Sequence, residues 1–126
     1  MALDESTQRL FVATRQPALM LVYDTTTGKR MAELPLCGDA DDLFYDSQRR
    51  QLYAVCGEGV VDVIRQRDPD HYEFAQRVQT SNGARTGLFV PRLSTLFVAV
   101  PSHGGSSAEI RVYRIEWRWP LNRCIP

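Results

Sequence analysis

The chain has 126 residues, and 15 Lys+Arg balance 15 Asp+Glu, so its formal net charge is zero; 44% of the residues are hydrophobic and 24% are charged. These ordinary globular proportions exclude a disordered, collagenous or coiled-coil chain, and the charge balance argues against a nucleic-acid partner. No apolar run approaches the ~20 residues of a membrane span, so no membrane partner is expected, and the length suits one domain with a real core.

In chain order the predicted elements are short strands. Ala2-Leu3 is a first apolar run, followed by a polar turn over 4–9 and the strand Leu10-Phe11-Val12-Ala13. An alternating stretch at 19–23 comes next. Thr25-Thr26-Thr27-Gly28-Lys29 then reads as a hairpin turn, with Gly28 free to take positive φ, before a strand at 30–36. The pattern restarts at Leu43-Phe44-Tyr45 and runs through the turn 46–51, Leu52-Tyr53-Ala54-Val55, 60–64 and 74–78. It restarts again at Leu88-Phe89-Val90, with the turn 91–95, Leu96-Phe97-Val98-Ala99 and 110–115. Short runs of Val, Leu, Phe and Tyr bounded by Gly, Asp, Asn and Pro are the strand signature, and helical periodicity is not in evidence.

A repeat of about 40–45 residues with four strands per unit, here termed a to d, is the pattern of a β-propeller blade. The predicted fold is therefore all-β: a partial β-propeller of about three four-stranded antiparallel blades, at approximately 1–36, 37–79 and 80–116. The third unit lacks an obvious strand d, and 117–126 reads as a non-repeat tail. Trp117 and Trp119 alternate about Arg118 before Pro120, so the tail is either that missing strand or a frayed end.

Phe11-Val12-Ala13, Leu21-Val22-Tyr23-Asp24 and Thr27-Gly28-Lys29 resemble the YVTN-type propeller repeat. Longer strings are similar to one bacterial group, the YncE-like propeller proteins. They are Gly38-Asp39-Ala40-Asp41-Asp42-Leu43-Phe44-Tyr45-Asp46, Gly57-Glu58-Gly59, Asp68-Pro69-Asp70-His71-Tyr72, Gly83-Ala84-Arg85-Thr86 and Ala108-Glu109-Ile110-Arg111-Val112-Tyr113. The resemblance covers roughly 2–116. It implies a ring of blades, and analogy with lactonase-like propellers implies hydrolysis. Full-length relatives are often exported, whereas Met1-Ala2-Leu3-Asp4-Glu5 is not a secretory signal, so localisation stays open. The chain reads as the C-terminal part of a longer propeller, since it starts inside a strand a and holds about three blades.

Propellers close with about 4–8 blades. Three blades leave two open apolar faces, which a soluble monomer does not tolerate. The expected partner is therefore a second copy, giving a homodimeric six-bladed ring, with a nine-bladed trimer as the alternative.

In an a-b-c-d meander the d–a and b–c loops share one face, at the mouth of the central channel. This face collects Asp39, Asp41 and Asp42 from one d–a loop and Arg85 from the next. The b–c loops bring Arg15-Gln16-Pro17, Glu58 and His103. Three carboxylates in four positions are costly unless a cation compensates them. One reading is a divalent metal held by Asp39, Asp41, Asp42 and Glu58, with His103 as base or further ligand and Arg85 stabilising a developing anion. The competing reading is structural: Asx-turns, an Asp–Arg pair in which Arg85 neutralises Asp41 or Asp42, and a solvated His103. His71 beside Asp70 belongs to the other face. Ser102, Ser106 and Ser107 lie in no GxSxG context, and no phosphate-binding or dinucleotide fingerprint occurs. Cys37, Cys56 and Cys124 cannot all pair within one chain and match no metal spacing, so buried or idle thiols are expected.

Two functions follow. The first is a self-assembling propeller with a metal-assisted hydrolase site for an ester, lactone or phosphotriester. The second is a non-catalytic scaffold or module binding a small-molecule ligand. Redox chemistry is a poorer third, since no haem or quinone motif is present.

Overall fold

The computed structural model describes residues 1–116. The architecture is all-β, in three antiparallel sheets with a single 3-10 turn at Pro91–Leu93 among the described residues. The first sheet is β1 (Ala2–Asp4), β2 (Arg9–Arg15), β3 (Ala18–Asp24) and β4 (Arg30–Pro35). The second is β5 (Ala40–Asp46), β6 (Gln51–Cys56), β7 (Val60–Asp68) and β8 (His71–Gln79). The third is β9 (Thr86–Val90), β10 (Thr95–Val100) and β11 (Glu109–Arg114). Every sheet is a meander in which sequential strands pair. The first strands converge, β5 packing against both β1 and β9, and β4 and β8 meet at the outer edge. The question of whether Trp117 and Trp119 form a further strand lies outside the described residues.

The repeat is visible in the backbone. Gln8, Arg50 and Ser94 stand at the same point of the three a–b turns, two residues before Leu10, Leu52 and Leu96. All three adopt left-handed φ, of 56°, 54° and 48°. A non-glycine residue in this region costs of order 1 kcal/mol, so its recurrence marks one turn geometry imposed three times. β8 is longer than the predicted stretch 74–78. It pairs with β7 across a two-residue Pro69-Asp70 turn, and bulges near Val63/Ile64 and Gln66/Asp68 absorb the register difference. His71 consequently heads a strand instead of sitting in a loop.

Alternation along each strand builds two apolar layers. Phe11, Met20 and Val22 from the first sheet pack on Leu43, Leu52, Ala54 and Ile64 of the second. The Phe11 ring lies 5.3 Å from Tyr45 and 5.6 Å from Tyr72, the second contact edge-on. On the other side of the second sheet, Tyr53, Val55 and Val61 pack on Leu96, Val98 and Val100. Phe11 and Tyr53 occupy equivalent repeat positions and play the same part in successive layers.

The cysteine expectation is corrected here. Cys37 and Cys56 form a disulfide. Cys56 ends β6 opposite Ala40 at the start of β5, and Cys37 lies just ahead of that strand. The Cα atoms are 5.9 Å apart, within the range a disulfide spans. No short motif marks the pair, because strand register brings the two together.

On the loop face opposite the candidate site, Asp4 and Asp46 anchor equivalent a–b turns. Asp4 accepts from Ser6 Oγ at 2.7 Å, Thr7 Oγ1 at 2.5 Å and Gln66 Nε2 at 3.2 Å, with Tyr45 Oη 3.1 Å away. Asp46 accepts from the amides of Gln48 and Arg49 and from Tyr53 Oη. Burial alone would raise the Asp4 pKa, but the hydrogen bonds from Thr7, Ser6, Gln66 and Tyr45 outweigh it and lower the value from 3.8 to about 2. The folded value lies below the unfolded one. The stabilisation is therefore complete above pH ~4–5 and is lost as pH falls through about 4 to 2. Asp4→Asn is expected to cost about 1–2 kcal/mol at pH 7 and progressively less toward pH 2. Urea unfolding of both proteins across that range checks this, and a pH-independent difference would refute it.

Candidate functional site

The loops after β4, β6 and β8 are stitched together by backbone hydrogen bonds. Gly57 N donates to Asp39 O at 2.9 Å, Thr80 N to Gly59 O at 2.8 Å and Gly83 N to Gly57 O at 2.7 Å. This shared backbone fixes where the candidate side chains stand. Asp39 itself has left-handed φ of 60°, which turns its carboxylate over Gly57. A Cβ placed on Gly57 would collide with Asp39 Oδ2 and come within 2.9 Å of Arg85 Nε. Glycine is required there by close approach of the pair above it.

The carboxylates are held by cations and amides of the chain itself. Arg85 Nη2 meets Asp39 Oδ2 at 2.8 Å, and Arg15 Nε lies 3.5 Å from Asp39 Oδ1. Arg15 Nη2 meets Asp41 Oδ1 at 2.6 Å, and Arg15 Nε also donates to Ala40 O at 3.4 Å. Asp42 points elsewhere: its Oδ2 accepts from Gly87 N at 2.8 Å, at the start of β9. Glu58 Oε2 accepts from Gly38 N at 2.5 Å. The result is a ladder, Asp41–Arg15–Asp39–Arg85, running from the end of β2 through the loop before β5 to the loop before β9. It links all three sheets across one face.

Arg85 thus meets Asp39, not Asp41 or Asp42. His103 lies in an exposed turn closed by backbone bonds to Ser106 of 2.9 and 3.2 Å, and no contact joins it to the ladder among the described residues. Nor do any three His, Cys, Asp or Glu side chains there stand close enough together to hold a metal ion. Local sequence assigns no role to Arg15, the hub of the ladder. Its signal is weak, because it meets Asp39 and Asp41 only after two sheets have packed. His71 bonds Asp68 through Nδ1 at 2.8 Å, on the other face.

One cavity lies away from the ladder and another adjoins it. A cleft of about 610 Å³ opens between the second and third sheets, lined by Tyr53, Val61, Val63, Val78, Tyr113 and Ile115 among others. A shallower depression of about 680 Å³ lies against Arg85, Thr86, Val100, Pro101 and Glu109.

No family model matches this chain, and no curated protein matches it. Among solved structures it is similar to hydrazine synthase from Kuenenia stuttgartiensis, with a TM-score of 0.76 at 15% sequence identity. The likeness covers 90% of this chain and 32% of that one. At this identity it shows the fold alone, and that fold is a β-propeller.

Proposed function

We propose that the chain is a non-catalytic β-propeller module of the YVTN, YncE-like kind, a scaffold whose shared loop face is held rigid by internal charge pairing. The observation that carries this reading is the Asp41–Arg15–Asp39–Arg85 ladder. Carboxylates that already accept from two guanidinium groups need no further cation to offset their repulsion. A metal would have to displace Arg15 and Arg85 to gain Asp39 and Asp41, and would still not reach Asp42, which is bound to Gly87 N. The metal-assisted hydrolase is the competing proposal, and it requires that rearrangement.

Calorimetric titration with Zn²⁺, Mn²⁺ and Ca²⁺, alongside assays on lactone, ester and phosphotriester substrates, separates the two. The scaffold reading expects no saturable metal binding and no metal-dependent turnover. It also expects Asp41→Ala to change stability by less than about 1 kcal/mol, the usual worth of an exposed ion pair. Turnover that needs metal and disappears in Asp39→Asn would overturn it in favour of the hydrolase.

A further inference from the structure

We propose that the two end faces of the blade stack dock on each other between two copies of this chain, head to tail, closing a six-bladed ring. The inference rests on the propeller reading and goes beyond it by naming the surfaces. The repeat assigns each blade two distinct faces. Phe11 and Ala13 face forward onto the second sheet, and Tyr53 and Val55 face forward onto the third. Leu52 and Ala54 face backward onto the first sheet, and Leu96 and Val98 face backward onto the second. Each internal interface therefore joins a forward face bearing an aromatic ring to a backward face bearing Leu and a small or branched residue.

Continuing that alternation leaves one face of each kind without a partner among the described residues. On the third sheet, strand register sets Leu88, Phe97 and Val112 in one row and Ala99 beside Ile110 in the next. This is the forward face, and Leu88, Ile110 and Val112 are 58%, 62% and 64% exposed. On the first sheet, register sets Leu3, Leu10 and Tyr23 in one row and Val12 beside Leu21 in another. This is the backward face. The two ends are thus the two halves of the interface the chain already makes twice internally. That continuity selects another unit of the same repeat as the occupant, and a second copy of this chain supplies both matching halves. A contiguous apolar face of this kind is what a soluble protein covers. Two copies of three blades give six, inside the range at which propellers close, and a head-to-tail contact closes when the rotation per copy completes a ring.

The test is solution mass of the full chain by size-exclusion chromatography with light scattering. The expected mass is twice 14.3 kDa. Val112→Glu spoils the forward face and Leu3→Lys the backward face, and each variant alone is expected to elute at 14.3 kDa. Mixing them restores the dimer, since one interface then pairs Glu with Lys and the other is unaltered. An isologous dimer would not be rescued this way. Both positions are exposed, so circular dichroism should show unaltered β structure; if either variant misfolds, Ile110→Glu and Tyr23→Lys replace them. A folded monomer, an assembly of any other size, or single variants that stay dimeric would overturn the proposal. The first of these would leave the scaffold reading standing, because that reading is decided by metal binding and turnover.

Discussion

Replacing Arg77 with alanine is expected to destabilise the fold by about 3–5 kcal/mol, although its side chain is 41% exposed. The reason lies beneath it. Asp62 sits opposite Arg77 in the β7–β8 register and is only 1% exposed. Its Oδ1 accepts from Arg77 Nε at 2.7 Å, and its Oδ2 accepts from Arg77 Nη2 at 2.9 Å and from the Cys37 amide at 2.9 Å. Deleting the guanidinium strands a buried carboxylate on a single amide donor. Asp62→Asn keeps an acceptor for that amide and is expected to cost less. The double variant is expected to recover much of the Arg77→Ala loss. Urea unfolding of the four proteins as a double-mutant cycle measures this coupling. If Arg77→Ala fell within ~0.5 kcal/mol of wild type, the carboxylate would be solvated and the account wrong.

The second large effect is expected from the disulfide. Cys37 and Cys56 are separated by 19 residues, and cross-linking a loop of that size restricts the unfolded chain by about 3 kcal/mol. In a domain of this length that corresponds to a fall of roughly 10 °C in Tm on reduction. Differential scanning calorimetry of the oxidised protein and of protein reduced in denaturant and refolded with reductant, in a Cys124→Ser background that removes the third cysteine, gives the value. The Cys37→Ala/Cys56→Ala variant should unfold near the reduced protein. Coincident transitions for the oxidised and reduced forms would rule out a stabilising cross-link.

The strands and their repeat are legible because Leu-Phe-Val-Ala occurs at Leu10 and Leu96 and its variant Leu-Tyr-Ala-Val at Leu52, and local alternation reports a strand wherever one face is buried. The left-handed turn positions are not, since Gln8, Arg50 and Ser94 share no side-chain chemistry. In the candidate site, the crowding of Asp39, Asp41 and Asp42 is legible as a demand for compensating charge. Arg85 is legible as one source but its partner is not, because the left-handed turn at Asp39 decides which carboxylate it meets. Arg15, the Cys37–Cys56 bond and the Asp62–Arg77 pair depend on strand register and sheet packing. None has a spacing that local sequence reveals.

The cross-link has a further consequence for when it is made. Cys37 and Cys56 are 1% and 0% exposed, and Cys56 lies in the layer that the first sheet covers. Thiol–disulfide exchange needs in-line access of a thiolate to sulfur, which the finished structure denies. Making, breaking or exchanging this bond therefore requires the first sheet to open from the second. A chain packed with these thiols reduced would need the same opening before they could be oxidised.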